Sequence, residues 1–212
     1  MTPLSSAAIS PEGLRRRLDA AVVGVRSSER HAVRGDHELN PDLAVPELLT
    51  PAAVLVPVVM RPGGMTVLLT QRTPHLQAHA GQISFPGGRI EPEDADATMA
   101  ALRETEEEIG LPRERVEVIG RLDTYLTRTG FDVTPVVGLV TPPFELRLDP
   151  FEVADAFEVP LAFVLDPASR ERRSRAFGGV ERRFWALPFG DRFIWGATAG
   201  MLVNLAELLA EP

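Results

Sequence analysis

Four glutamates occupy four of the five positions from 104 to 108 in this 212-residue chain. Three of them, Glu104, Glu107 and Glu108, are spaced as i, i+3 and i+4, so a helix would place their side chains on one face. Clustered carboxylates supply the oxygen ligands that hard ions such as Mg²⁺ and Mn²⁺ prefer. The spacing therefore indicates a site for a divalent cation.

An acidic run of this kind can also be a solvated helix face with no ligand. The nearest cation is Arg103, which can reach Glu107 at i+4, whereas Glu104 and Glu108 face each other without a partner. Like charges at this spacing repel, and a bound cation would turn the repulsion into attraction. On charge alone both interpretations stay open.

Local signals define the element that must carry these carboxylates. Asp96 is a suitable N-cap, Gly110 suits the left-handed position after a helix, and Pro112 prevents continuation. The face opposite the glutamates carries the residues expected to pack against a core, namely Met99, Leu102, Thr105 and Ile109. We therefore predict a short helix with one apolar face and one carboxylate face.

The segment from Gly88 to Leu111 resembles the Nudix box, whose pattern is G-x5-E-x7-R-E-U-x-E-E-x-G-U with U aliphatic. The matching positions are Gly88, Arg103, Glu104, Glu107, Glu108, Gly110 and Leu111. Asp94 stands where the pattern has its first Glu, Thr105 replaces an aliphatic residue, and the interval from Gly88 to Arg103 is one residue longer. The extra residue falls in a turn, where insertions are tolerated, and leaves the spacing of the glutamates unchanged.

A second motif lies just upstream and resembles the signature of the coenzyme A-hydrolysing branch of Nudix enzymes, LLTxR(S/A)x3Rx3Gx3FPGG. The matching positions are Leu68, Leu69, Thr70, Arg72, Gly81, Phe85, Pro86, Gly87 and Gly88. Thr73 stands where the signature has Ser or Ala, and Gln77 stands where it has Arg. That branch also has the longer turn in its Nudix box.

The resemblance implies a set of roles. Mg²⁺ or Mn²⁺ would be held by Glu104, Glu107 and Glu108, with Glu104, Arg103 and Glu107 as the catalytic residues. The general base would be Glu104 or a carboxylate outside the box, for which Glu152, Asp155 and Glu158 are candidates. The residues implied in substrate binding are Arg72, Gly81, Phe85, Gly87 and Gly88.

The resemblance also implies a fold and a reaction. The fold would be of the α/β class, a mixed β-sheet sandwiched between helices. The reaction would be cleavage of coenzyme A, or a derivative, to 3′,5′-ADP and a 4′-phosphopantetheine. Two alternatives are the same chemistry on another nucleoside diphosphate derivative, such as ADP-ribose or a nucleoside triphosphate, and a non-catalytic module that binds a nucleotide and regulates a partner.

Composition narrows the class of protein. The length fits one domain over residues 1–212, with residues 1–50 forming an N-terminal helix and a connection. The net charge of −8 argues against non-specific nucleic-acid binding, and all fixed side-chain cations are arginines, which suit phosphate oxygens. We see no signal peptide and no long apolar run, so we expect a cytoplasmic protein that does not enter a membrane. Oligomeric state is open.

Periodicity and turn residues predict the remaining elements. Helices are expected at 11–25 and 197–211, with at most one helical turn near 46–49. Strands are expected at 52–60, 65–72, 82–85, 116–125, 131–140, 173–177, 181–187 and 192–195, and a strand is one interpretation of 152–159. His75 and His79 lie in the loop of the upstream motif and could touch substrate or only the surface. For Trp185, Phe193 and Trp195 we favour core packing over ligand contact.

Overall fold

The computed structural model describes residues 9–26, 33–42, 44, 46–76 and 79–210. Its helices are α1 (Pro11–Arg26), α2 (Ala97–Ile109), α3 (Leu161–Leu165) and α4 (Ala197–Ala210), with short 3₁₀ turns at Arg113–Arg115 and Pro167–Ser169. Its strands are β1 (Val33–Gly35), β2 (Thr50–Val59), β3 (Thr66–Arg72), β4 (Ile83–Ser84), β5 (Gly87–Arg89), β6 (Val116–Arg121), β7 (Thr124–Leu126), β8 (Phe131–Val140), β9 (Val153–Pro160), β10 (Glu171–Phe177), β11 (Val180–Phe189) and β12 (Arg192–Trp195).

Nine strands form one mixed sheet with the order β1-β7-β8-β2-β3-β4, to which β5, β6 and β9 add by pairing with β2, β8 and β3. Its centre is the parallel pair of β2 and β8, which runs in register from Thr50 opposite Phe131 to Val59 opposite Val140. β5 joins the first half of β2, with Gly88 opposite Ala53. The glycine pair of the predicted box is therefore held in the sheet beside its central strands.

Alternation along β2 divides the core into two layers. Val56 and Val58 pack into the cluster that includes residues of α1 and α4, whereas Leu55 and Val59 pack into the cluster that includes residues of α2. This follows from the two-residue period of a strand, whose successive side chains point to opposite faces. The sheet is thus covered by α2 on one face and by α1 and α4 on the other, and the predicted α/β sandwich is confirmed.

A smaller antiparallel sheet of β10, β11 and β12 leads into α4. β10 has exposed residues at six of its seven positions, because only β11 pairs with it. Arg192 on β12 joins this sheet to the large one, donating to Gln71 at 2.6 Å and to Asp155 at 2.5 Å. Within the part of the chain that the structure describes, no helix is both long and apolar enough to cross a membrane.

Most predicted elements form with small shifts at their ends, and two predictions are wrong. No helical turn forms at 46–49, which is within the prediction of at most one, and Thr50 donates to the Gly130 carbonyl at 2.7 Å as the segment leads into β2. The strand predicted at 116–125 divides into β6 and β7. β1 and β5 arise in segments predicted as connections, because each pairs with a strand that is distant in sequence.

Candidate active site

The α2 helix has the ends that its sequence predicts. Asp96 accepts a hydrogen bond from the Met99 amide at 3.0 Å, and Gly110 adopts φ 66° while its amide bonds to Glu106. Beyond the helix the chain returns along its C-terminal end, where the Asp149 amide donates to the Glu108 carbonyl at 2.8 Å. Carbonyls in the last turn of a helix have no partner within it, so this contact fixes the returning segment beside Glu108.

The buried face of α2 differs from the predicted one. Met99 is 39% exposed, so the expected apolar stripe is not continuous, whereas Glu108 is only 6% exposed. Thr105 is buried as predicted, and its hydroxyl donates to the Ala101 carbonyl at 2.6 Å, which explains how a polar residue is tolerated there. The three glutamates therefore do not share one solvated face, since the sheet and the Gly87 backbone cover Glu108.

Glu108 lies closest to the sheet. Its Oε2 accepts a hydrogen bond from the Gly87 amide at 3.1 Å, and its Oε1 is 3.8 Å from Nη1 of Arg72. Burial raises the pKa of Glu108 to about 7, although the Gly87 amide and Arg72 both act to lower it. A cation bound beside Glu108 would stabilise the ionised form of this buried carboxylate.

Glu104 stands directly over the second glycine of the pair. A Cβ atom on Gly88 would lie 2.5 Å from its Oε2, so only glycine leaves room for this carboxylate. Gly87 is restricted too, because it has φ 147° and a Cβ atom there would collide with the Ala53 carbonyl. Burial raises the pKa of Glu104, against the opposing effect of Arg103.

Arg103 connects the loop before the helix to two of the glutamates. Its Nε and Nη2 donate to the two carboxylate oxygens of Asp94 at 3.0 and 2.9 Å. Its Nη1 donates to Glu104 at 2.8 Å and to Glu107 at 3.0 Å. The hydrogen bonds to Arg103 and to the Glu91 amide lower the pKa of Asp94. Asp94 thus anchors the arginine that orients the carboxylates.

The donor set fits a hard divalent cation in its chemistry. Burial penalises the charged forms of Glu104 and Glu108, and a bound dication would offset that cost. In their present conformations, the acidic and histidine side chains of the described residues form no group of three or more that could hold a metal ion. Glu107 is 61% exposed and bonded to Arg103, so a cation would compete with Arg103 for it.

Of the three carboxylates considered outside the box, Glu152 lies at this site. Its Oε2 is 4.0 Å from Nη2 of Arg72, and its charge raises the pKa of both Glu104 and Glu108. Asp155 instead pairs with Arg192 at 2.5 Å. Glu158 accepts from Arg61 and Thr66 near the opposite end of β3. The three lie on one segment, and the strand pairing of β9 decides which reaches the site.

The other predicted substrate-binding residues lie in different environments, and of these Arg72 lies beside the carboxylates. Arg72 lies between Glu108 and Glu152, at an irregularity where the register of β3 with β9 shifts. Gly81 is an exposed turn residue with φ 69°. Phe85 is 3% exposed and belongs to the core cluster on the α1 and α4 side, so its ring supports the sheet from behind. Gln77 lies outside the described residues.

The histidines and aromatic residues also have different surroundings. His79 bonds to Gln82 at 3.0 Å within its own loop, whereas the His75 ring contacts Phe151 at a centroid distance of 5.0 Å. Phe151 is 64% exposed and directly precedes Glu152, and no motif in the sequence includes it. Its sequence signal is weak, since only its position beside a candidate carboxylate marks it. Trp185 packs against the core, as favoured, whereas Phe193 is 39% exposed, so the core packing favoured for it is wrong.

Comparisons with known proteins found a family model, relatives and solved structures that this chain resembles. The family model described as NUDIX domain matches residues 49–175. Nudix hydrolase NudL, an uncharacterized protein of Escherichia coli (strain K12), is 45% identical over 155 residues, which cover 73% of this chain and 80% of that protein. NudL of Klebsiella pneumoniae (strain 342) is 43% identical over 189 residues, covering 81% of this chain and 95% of that protein. A solved Ap4A hydrolase binary complex from C. elegans has a TM-score of 0.46 and 24% identity, covering 52% of this chain and 80% of that one.

Proposed function

This chain belongs to the Nudix family, and we propose that it hydrolyses the diphosphate bond of coenzyme A and its derivatives with Mg²⁺ or Mn²⁺. The products would be 3′,5′-ADP and 4′-phosphopantetheine, or its acylated form. Family membership supports the coarser statement that the chain is a hydrolase acting on a nucleoside diphosphate derivative. Coenzyme A is the finer proposal.

One contact carries the finer proposal. Arg72, from the upstream signature, approaches Glu108, from the Nudix box, with 3.8 Å between Nη1 and Oε1. The two motifs therefore meet at one site, which is what a substrate recognised by both would need. Arginine is suited to this position because its planar guanidinium can bind two phosphate oxygens at once.

The reaction begins when water attacks phosphorus in line with the bridging oxygen. A new P–O bond forms, the anhydride P–O bond breaks, and its electron pair leaves with the departing phosphate. A divalent cation held by Glu104, Glu107 and Glu108 would neutralise phosphate charge and lower the pKa of a water ligand. Gly87 and Gly88 leave space for the diphosphate at the backbone, and Arg103 keeps Glu104 and Glu107 oriented.

The proton of the attacking water needs a carboxylate acceptor. Glu104 and Glu152 are the two candidates, since the charge of Glu152 acts on Glu104 and the Glu152 carboxylate is 4.0 Å from Arg72. Of the two, the base is the one whose Gln variant loses the acidic limb of the pH profile of kcat. Asp155 and Glu158 are bound to arginines elsewhere, so their Gln or Asn variants should retain that limb.

Product identification tests the proposal directly. We expect the purified chain to convert coenzyme A to 3′,5′-ADP in the presence of Mg²⁺ or Mn²⁺, and a chelator to abolish the conversion. If coenzyme A survives unchanged, the substrate is wrong while the family stands. ADP-ribose and nucleoside triphosphates would then be the next substrates to test.

Substitutions on α2 test the proposed ligands. Glu107→Gln and Glu108→Gln should each reduce kcat, and the matched control is Glu106→Gln. Glu106 lies on the same helix but accepts hydrogen bonds from Arg113 at 2.5 and 2.9 Å, so its loss should leave the rate near that of the wild type. Near-wild-type rates for Glu107→Gln or Glu108→Gln would contradict the metal role assigned to that residue.

A further inference from the structure

An exposed phenylalanine stands next to the carboxylates of the site. Phe151 is 64% exposed and directly precedes Glu152, whose charge acts on both Glu104 and Glu108. Single exposed apolar residues are ordinary on protein surfaces and need no explanation by themselves. Phe151 differs from such residues because hydrogen bonds through Asp149 fix its backbone against α2 and the His75 ring lies beside it.

The backbone around Phe151 is held from two sides. Its own amide donates to the Asp149 side chain at 2.8 Å, and the Asp149 amide donates to the Glu108 carbonyl at 2.8 Å. On the other side the hydroxyl of Thr73, a residue only 4% exposed, donates to the Phe151 carbonyl at 2.7 Å. The Thr73 amide also donates to the Glu152 carbonyl at 2.9 Å. The ring is therefore presented from a preorganised turn.

His75 supplies the second ring. Its centroid lies 5.0 Å from that of Phe151 with an angle of 59° between the planes, and its Nε2 is 3.5 Å from the Thr73 hydroxyl. His75 comes from the loop of the upstream motif, three residues beyond Arg72. One face of the phenyl ring is thus bordered by an imidazole, while most of its surface stays open to solvent.

We propose that Phe151 is a stacking platform for the nucleobase of the substrate, flanked by His75. The inference rests on the proposed function, because the diphosphate must lie at Glu104 and Glu108. A nucleobase that stacks on an exposed aromatic ring excludes water from the face of the base and the face of the ring that touch. The neighbouring residue, Glu152, faces the carboxylate site. This arrangement matches a ligand in which one ribose joins a planar base to a diphosphate.

The pantetheine arm of coenzyme A is the alternative group to contact the Phe151 ring. A pantetheine arm is a flexible chain of methylenes and amides without an aromatic ring, so it gains less from a fixed aromatic platform. The two products separate these alternatives, because 3′,5′-ADP carries the base and 4′-phosphopantetheine carries the arm. Their affinities can be measured one at a time.

Calorimetric titration of the full chain with ADP, 3′,5′-ADP and 4′-phosphopantetheine tests the inference. Phe151→Ala should weaken binding of ADP and of 3′,5′-ADP about tenfold, which corresponds to about 1.4 kcal/mol, while 4′-phosphopantetheine binds unchanged. Phe151→Trp should retain the affinity for both nucleotides. Phe193→Ala is the matched control, because Phe193 is also exposed, at 39%, but lies on β12 of the smaller sheet.

Several results would overturn the inference. They are unchanged nucleotide affinity in Phe151→Ala, a loss confined to 4′-phosphopantetheine, or no measurable binding of ADP to the wild type. These titrations need no turnover, so they are independent of the proposed substrate. If coenzyme A is not cleaved but Phe151→Ala still weakens ADP binding, the platform stands and the substrate is another adenine nucleotide. Unchanged thermal unfolding of Phe151→Ala would confirm that the variant is folded.

Discussion

The buried carboxyl of Glu108 predicts an unusual dependence of stability on pH in the metal-free protein. Glu108 is 6% exposed, and burial raises its pKa from 4.5 to about 7. Between these two pH values the folded state holds a proton that the unfolded state has released. The free energy of unfolding therefore falls as the pH rises through this interval, and Glu108 causes no further loss above it.

The size of the effect follows from the same numbers. A rise in pKa from 4.5 to about 7, at about 1.36 kcal/mol for each pKa unit, corresponds to a loss of about 3 kcal/mol between acid and neutral pH. This is a large part of the stability of an ordinary domain. Stabilisation by this group is fully present below about pH 4.5 and absent above about pH 7.

Glu108→Gln removes the titrating group while keeping its shape. The amide oxygen can still accept the hydrogen bond from Gly87, and no charge is buried at any pH. In the presence of a chelator, we expect the free energy of unfolding of the variant to rise relative to that of the wild type as the pH rises from 5 to 8. The expected relative gain is up to about 3 kcal/mol. Saturating Mg²⁺ should make the wild type the more stable of the two proteins, because the ion stabilises only the protein that binds it.

Urea unfolding followed by tryptophan fluorescence at several pH values measures this difference. Other titrating groups cancel when the two proteins are compared at the same pH. Glu107→Gln is the matched control, since Glu107 lies on the same helix and its side chain is 61% exposed. A difference between wild type and Glu108→Gln that stays constant from pH 5 to 8 would refute the reasoning. It would mean that Arg72 and the Gly87 amide stabilise the ionised carboxylate fully.

Two further predictions concern the residues that position Glu104. Gly88→Ala places a Cβ atom 2.5 Å from Oε2 of Glu104 and should displace that carboxylate. We expect kcat to fall about 100-fold, because displacement of a catalytic group by about 1 Å can have that effect. An unchanged kcat would show that Glu104 does not act from its present position. Asp94→Asn should lower activity about 10- to 100-fold, because Arg103 loses the carboxylate that orients it. The circular dichroism spectrum should stay unchanged, and rescue by Asp94→Glu would support this role.

Local features of the structure were predictable because local interactions determine them. The ends of α2 depend on Asp96 and Gly110, whose capping interactions lie within one turn of the helix. The long strands β2 and β8 depend on runs of valine with strong β-propensity. Their lengths in the structure are close to those predicted. The turn residues Gly178 and Gly179 predict the hairpin of β10 and β11, whereas the short strand β1 depends on β7, a partner that no local signal identifies.

Burial on α2 shows where sequence reasoning reached its limit. Helical spacing places Glu104, Glu107 and Glu108 near one another, but the three have different environments. Glu108 is covered because the Gly87 backbone approaches it, and Glu107 is exposed beside Arg103. The same spacing would arise on a fully solvated helix, so the pKa of Glu108 could not be read from it.

The sequence by itself determined which chemical groups are available and the intervals between them on one helix and one loop. Those intervals are properties of a short stretch of chain and survive in any packing. Only the tertiary structure decided which of Glu152, Asp155 and Glu158 joins the carboxylates, because that depends on the register of β9 against β3. It also decided that Phe85 is buried while Phe151 is exposed, since burial is set by what packs against a residue from elsewhere in the chain.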